Sequence, residues 1–252
     1  MKKILITGAT SGIGRATAIC LAKEGHSLAI SGRRLSKLQI LQQEICELKG
    51  IAPIILKMDV KESIQVKASI KTLLGQWKQI DVLINNAGLS LGFNDLHEGD
   101  MEDWDIMMNT NVRGLLMVSK EVSKNMITHR SGQIINISSI AGTQVYAKGN
   151  VYCASKHAVD ALTKAMRIDF LKYGIKVSSV SPGAVNTEFS SVRFKGDTER
   201  ANQVYQGYQP LLAEDIATSI LHIVNSPIHV NINDIQITPT AQANAYYLNK
   251  SE

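Results

Sequence analysis

Few cysteines, few aromatics and no long apolar run characterise this chain. Its three cysteines, Cys20, Cys46 and Cys153, share no metal-binding or redox spacing. Cys20 and Cys46 fall on apolar faces of predicted helices, where a free cysteine behaves as a small hydrophobe. A reducing, cytoplasmic setting is expected. No run approaches the roughly 18 apolar residues of a membrane span, so no membrane partner is expected. Lys2-Lys3-Ile4-Leu5-Ile6 opens like a signal peptide, but the apolar stretch is short and Gly8 to Gly14 interrupt it. Aromatics make up 5% of the chain and do not interleave with basic residues, so nucleic-acid binding is not expected. The net charge is +5, yet no basic run exceeds three residues. That pattern suits a mildly basic surface facing small anions. The six histidines have no ligand spacing, and none is assigned to a metal.

What is present is an ordinary globular balance, 44% hydrophobic and 19% charged, over 252 residues. Short Ile- and Val-rich runs at 3–7, 27–31, 53–58, 82–85, 133–138, 176–180 and 234–237 read as strands. Longer amphipathic segments such as 13–24 and 35–48 lie between them and read as helices. Gly25 and Gly50 follow the first two, as helix-end signals should. Strands apolar on both faces and separated by helices predict a doubly wound α/β fold with a parallel sheet. A single domain, 1–252, is the simplest account.

The first strand runs into Thr7-Gly8-Ala9-Thr10-Ser11-Gly12-Ile13-Gly14 and then a helix. Gly8 allows a tight turn, Gly12 lets backbone approach a pyrophosphate, and Gly14 lets helix pack close to strand. The helix N-terminus adds N–H donors and positive dipole. With a strand before it and a helix after it, the segment is expected to be a dinucleotide phosphate loop, with Thr10, Ser11 and Ile13 among its lining residues, rather than a structural turn. The end of the second strand decides between NAD and NADP. No Asp or Glu occurs between Glu24 and Glu44, and Ser31-Gly32-Arg33-Arg34 stands where an acceptor for the ribose 2′-hydroxyl is needed. Guanidinium groups suit a 2′-phosphate instead. NADP(H) is therefore the expected cofactor. Asp59 is a candidate acceptor for the adenine amino group, with Val60 beside it, or an N-cap for a helix opening at Lys61.

Tyr152-Cys153-Ala154-Ser155-Lys156 puts a phenol and an ammonium one helical turn apart. A phenol is a poor base near neutral pH, and a nearby ammonium is expected to lower its pKa toward the working range. A buried strand ending in Ser138-Ser139 precedes that helix and offers a hydroxyl to a reacting oxygen.

Thr7–Gly14, Asn85-Asn86-Ala87-Gly88, Asn111, Ser139, Tyr152-x-x-x-Lys156 and Pro182-Gly183, in this order, resemble the short-chain dehydrogenase/reductase family across nearly the whole chain. The resemblance implies a Rossmann fold with seven parallel strands. It implies Tyr152 as acid/base, Lys156 on the nicotinamide ribose, Ser139 orienting the carbonyl and Asn111 placing a relay water. Asn86, Ala87, Gly88, Pro182, Gly183, Val185 and Thr187 are implied along the cofactor. A narrower resemblance, carried by 182–190, 192–197 and 229–233, is to NADP-dependent 3-hydroxy acid dehydrogenases, also called serine dehydrogenases. It implies oxidation of serine, allo-threonine or other small 3-hydroxy acids, or reduction of the matching carbonyl, by a tetramer. A 3-oxoacyl or general carbonyl reductase would use the same catalytic residues, and a non-catalytic NADP-binding regulator is a distant alternative. The expected substrate loop is 184–209, where Arg193 is a candidate carboxylate anchor and Lys195 a second charge. Helical segments 104–126 and 151–173 carry apolar residues beyond one stripe, including Leu115, Leu116, Met117, Val118, Val159, Ala161, Leu162, Ala165 and Met166. Such helices are expected to bury a second face against another subunit.

Overall fold

Strands apolar on both faces build a parallel sheet covered on both sides. The computed structural model describes residues 1–49 and 51–251. In chain order it contains β1 (Lys3–Ile6), α1 (Gly12–Lys23), β2 (Ser27–Gly32), α2 (Leu35–Lys49), β3 (Ile54–Lys57), α3 (Ser63–Trp77) and β4 (Val82–Asn85). Then follow α4 (Met101–Met108), α5 (Leu115–His129), β5 (Gly132–Ile137), α6 (Asn150–Phe170) and β6 (Ile175–Pro182). The chain continues through α7 (Glu188–Arg193), α8 (Thr198–Gln203), α9 (Ala213–Asn225) and β7 (Asp234–Ile237). The strand order is β3-β2-β1-β4-β5-β6-β7, all neighbours parallel. The winding reverses between β1 and β4, where Ile4 lies opposite Val82 and Ile6 opposite Ile84. A crevice at the carboxyl ends of strands forms at such a reversal.

Side-chain alternation divides the core. Ile4 and Ile6 of β1, with Ile30, Ile84 and Ile135, pack on one face against Leu21, Leu41 and Ile220. Leu5, with Ala29, Leu83 and Ile134, packs on the other against Leu73, Val122 and Val159. Thus α1, α2 and α9 cover one face, and α3, α5 and α6 the other. Among the described residues no helix is long and apolar enough to cross a membrane.

Several boundaries differ from the sequence reading. The segment expected as one helix over 104–126 is α4 and α5 joined by a π-helical turn, Asn109–Gly114. Inside it Asn111 turns its amide onto the backbone of Leu89. Gly114 lies so near Val60 that a Cβ there would come within 2.7 Å of Val60 Cγ2. Asp59 does not cap a helix opening at Lys61: α3 opens at Ser63, and Asp59 Oδ1 accepts from Lys61 N (3.0 Å) in a local turn. Residues 184–209 are not all loop. Thr187 and Asp197 accept from Phe189 N and Arg200 N, and these caps open α7 and α8. Four of the apolar residues assigned to a second helix face, Leu115, Val118, Val159 and Met166, are buried in the core instead. Gly50, expected to end α2, lies outside the described residues.

Candidate active site

The glycine loop leaves β1 through a tight turn. Gly8 has φ +66°, and a Cβ there would stand 2.8 Å from Ala87 Cα, so the turn requires glycine. Thr7 then ties this loop to the end of β4. Its Oγ1 accepts from Asn86 N and Ala87 N (both 3.0 Å), while Asn86 Nδ2 donates to Thr7 O and Gly8 O (2.9 and 3.0 Å). Gly14 leaves room for that amide: a Cβ would meet Asn86 Nδ2 at 2.4 Å. Gly12 faces Thr187, whose Cβ a methyl there would approach to 3.2 Å. The loop therefore contacts β4 and the start of α7 together.

Above it opens a cleft of about 570 Å³. Every expected site residue except Gly14, Asn111 and Lys195 lines it. Arg33 and Arg34 stand at one end. Arg34 folds over the glycine loop, donating to Thr10 Oγ1 and Ser11 Oγ, both at 2.8 Å. Its Nη1 also reaches Glu188 Oε2 at 2.8 Å, and Lys37 Nζ reaches Glu188 Oε1 at 2.6 Å. The Lys37 hydrogen bond, with Arg34 beside it, holds the Glu188 carboxyl well down, to about 2, against partial burial.

At the other end stand Ser139, Tyr152 and Lys156. Ser139 ends the turn after β5, and its Oγ accepts from Ala141 N (3.1 Å). Tyr152 and Lys156 lie on the buried side of α6. Lys156 Nζ donates to Ile137 O at 2.9 Å and lies 5.9 Å from the Tyr152 ring centroid. Burial lowers the Lys156 ammonium to about 8. The Tyr152 phenol departs from the sequence expectation: burial, and then the Tyr146 phenol, push it up. Arg193 is the cation that draws it down, aided by the Ser139 hydroxyl. The Lys156 ammonium, the expected source of a lowering, donates to the Ile137 carbonyl. Asn111, behind the cleft wall, donates to Leu89 O (2.8 Å) and Ser155 Oγ (3.0 Å) and accepts from Leu89 N (2.9 Å). Gly88 keeps this corner open, since a Cβ would lie 3.2 Å from Asn111 Oδ1 and 3.5 Å from Lys156 Nζ.

Arg193 enters from the end of α7. Its guanidinium carbon is 5.2 Å from the Tyr152 ring centroid and 5.1 Å from that of Phe189. Phe93 and Tyr146 complete the enclosure at 6.0 and 5.9 Å. The guanidinium donates to two hydroxyls, Ser90 Oγ (3.1 Å) and Tyr146 Oη (2.9 Å), and among the described residues it meets no carboxylate. Lys195 does not join it. That ammonium pairs with Asp103 at 2.8 Å on α4. Sequence reasoning missed Ser90, Tyr146, Phe189, Lys37 and Glu188. Only Lys37, one helical turn beyond Arg34, carried a local signal.

The model of the short chain dehydrogenase family matches residues 2–197. The chain belongs to the short-chain dehydrogenase/reductase family. This short-chain dehydrogenase/reductase is 39% identical over 241 residues to the NADP-dependent 3-hydroxy acid dehydrogenase of Salmonella typhi, covering 95% of this chain and 96% of the relative. It is 40% identical over 242 residues to a sulfoacetaldehyde reductase of Chromohalobacter salexigens, covering 95% and 94%. Its fold matches the closed form of a serine dehydrogenase complexed with NADP+ at a TM-score of 0.90 and 38% identity, covering 96% and 97%. The protein is an NADP(H)-dependent oxidoreductase acting on CH–OH groups. The residues present fit that cofactor: the glycine cradle excludes side chains where phosphates need backbone, and two arginines flank it with no acid in their own turn.

Proposed function

We propose that the protein oxidises the 3-hydroxyl of small 3-hydroxy acids such as serine or allo-threonine, or reduces the matching carbonyl, with Tyr152 as acid/base. The observation that carries this reading is the Arg193 guanidinium, which faces the Tyr152 ring with hydroxyl partners alone among the described residues. A half-buried guanidinium is suited to a substrate carboxylate. Charge placed among Phe93, Tyr146 and Phe189 also disfavours the apolar chain of a 3-oxoacyl substrate.

The cofactor supplies the hydride donor or acceptor at its nicotinamide. The chain's own groups manage the proton and the geometry. Gly8, Gly12 and the N-terminus of α1 hold the pyrophosphate; Arg33 and Arg34 hold the 2′-phosphate; Asp59 and Val60 border the adenine. Asn86, Ala87, Gly88, Pro182, Gly183, Val185 and Thr187 wall the ribose and nicotinamide. During oxidation the Tyr152 oxygen takes the proton of the substrate hydroxyl as the carbinol carbon loses hydride, and it returns that proton in reduction. Ser139 donates to the reacting oxygen. Lys156 meets the nicotinamide ribose, and Asn111 orders a relay water. The name of the Chromohalobacter salexigens relative supports a second reading, a sulfonate in place of the carboxylate on Arg193. The assembly is proposed to be a homotetramer working in the cytoplasm.

The test is NADP+ reduction with serine, allo-threonine, 3-hydroxypropionate and 3-hydroxyisobutyrate, together with uncharged alcohols and, in reverse, sulfoacetaldehyde. Arg193→Met should lower kcat/KM for the anionic substrates by about ten- to a hundredfold more than for the neutral ones, the size of a lost charge-assisted hydrogen bond, because the loss of its pull on the Tyr152 phenol is common to both. Equal losses for acids and alcohols would refute the anchor.

A further inference from the structure

Glu188 stands where sequence-local reasoning finds no acid. Arg33 and Arg34 open α2 without a carboxylate between Glu24 and Glu44, yet the fold brings Glu188 to Arg34 from 154 residues away. Its two oxygens are divided between two cations: Oε2 accepts from Arg34 Nη1 at 2.8 Å, and Oε1 from Lys37 Nζ at 2.6 Å. Arg34 is meanwhile fixed to the phosphate loop through Thr10 and Ser11. The carboxylate thus occupies an anion site, built of one guanidinium and one ammonium, at the adenosine end of the cofactor cleft. It also bridges that end to α7, whose first residue is Glu188 and whose last is Arg193. Five helical steps, an axial rise of roughly 7–8 Å along the backbone, separate Glu188 from Arg193.

We propose that Glu188 is a resident counter-anion of the 2′-phosphate site, and that Lys37 is a further residue selecting NADP(H) over NAD(H). The inference rests on the reading that Arg34 receives the 2′-phosphate. A phosphate and the Glu188 carboxylate need the same donors on Arg34 and Lys37, so the phosphate must take them from Glu188. The exchange releases the start of α7 from the α2 turn. A cofactor without the 2′-phosphate leaves the Glu188 bridge in place. Recognition of the adenosine phosphate is thereby linked, through one short helix, to the position of Arg193.

Isothermal titration of NADPH and NADH, without substrate and at low salt, tests this on wild-type protein and on Glu188→Gln, Lys37→Met and Arg34→Ala. Half-exposed ion pairs set the scale, so Glu188→Gln should tighten NADPH by about three- to tenfold and leave NADH within about twofold. Lys37→Met should weaken NADPH by a comparable factor with NADH unchanged. Should Glu188→Gln fail to fold, Glu188→Asp, which withdraws the carboxylate by one methylene, carries the same expectation. Unchanged or weaker NADPH binding in the Glu188 variant, or equal tightening of both cofactors, overturns the counter-anion. An unchanged NADPH affinity in Lys37→Met overturns the selectivity of Lys37. Arg34→Ala keeps the failures apart. If it leaves NADPH and NADH affinities in their wild-type ratio, the underlying reading falls; if it lowers that ratio while Glu188→Gln is silent, only the counter-anion falls.

Discussion

At Lys156, burial and function oppose each other. The ammonium is 6% exposed and has one carbonyl partner, Ile137 O, so burial lowers it from 10.5 to about 8. Between these values the unfolded chain binds the extra proton and the folded chain does not. Stability therefore rises with pH across that window, and the penalty for the buried charge is complete below it. A shift of this size corresponds to on the order of 3 kcal/mol, offset in part when the Ile137 carbonyl loses its donor. Lys156→Met should accordingly stabilise the cofactor-free protein at pH 7, with the advantage shrinking toward pH 10.5, while turnover is lost. Urea unfolding of both proteins at several pH values measures it, and a variant less stable than wild type at pH 7 would show that the carbonyl bond outweighs the buried charge. Tyr152→Phe is the companion case. It removes a buried hydroxyl and should depress turnover by at least about 10²–10⁴-fold while NADPH binding persists, as expected for a general acid–base group. Because burial and the Tyr146 phenol favour the protonated form of Tyr152, oxidation should accelerate as pH rises and reduction should slow.

At the scale of elements, α7 is held at both ends: by Glu188 on Arg34 and Lys37 and, just beyond its last residue, by Lys195 on Asp103 of α4. The Lys195 pair joins the proposed substrate segment to the wall of the pocket, and Gly92 N donating to Arg193 O (3.0 Å) reinforces the contact. Asp103→Asn should raise KM for acidic substrates by about two- to fivefold with little change in melting temperature, since Asp103 is buried but the Lys195 end of the pair is 57% exposed, and a pair solvated at one end is worth about 1 kcal/mol. The KM difference should fade in high salt; a salt-independent effect would mean that Asp103 acts through packing. The elements that repeat a local pattern were the legible ones. The short Ile- and Val-rich strands, the glycine loop and the Tyr152–Lys156 spacing each depend on neighbours within one turn or strand. What stayed hidden depends on distant partners. The π-helical turn keeps the apolar stripes of an α-helix on either side of it, so nothing in the hydrophobic pattern marks it. Glu188 meets Arg34 only because α7 lies across the glycine loop. The buried chain from Ser119 through Asn85 and Asn136 to Thr163, with bonds of 2.8, 2.8 and 2.9 Å, links polar side chains that no periodicity encodes, and leaves Asn85 Oδ1 without a partner among the described residues. The caps Thr187 and Asp197 were available signals for α7 and α8.

For the molecule as a whole, the question is what covers the outer side of α5 and α6. Once Leu115, Val118, Val159 and Met166 are assigned to the core, the exposed apolar surface of these helices narrows to one stripe. On α6, Ala154, Ala161, Ala165 and Ile168 are exposed at helical spacing, with Ile168 and Leu171 each 75% exposed. Leu116 on α5 and Met108 at the end of α4 are each 39% exposed. Small side chains allow two helices to approach closely, and the large ones at the end of the stripe are costly to leave in water. A two-fold axis through this face would set each α6 against its copy, so each substitution would count twice. A stable interface needs about 1,200–2,000 Å² of buried surface, more than α6 alone presents, so α5 must contribute. Light scattering at micromolar concentration should give a tetrameric mass for the wild type. Ala165→Glu, which places like charges together across the axis, should reduce that mass by at least half while the far-ultraviolet circular dichroism is kept. Because α6 also carries Tyr152 and Lys156 on its inner side, the dissociated variant should lose thermal stability and turnover together. A monomeric wild-type mass would refute the assembly, and an Ala165→Glu protein of unchanged mass would place the interface on another face.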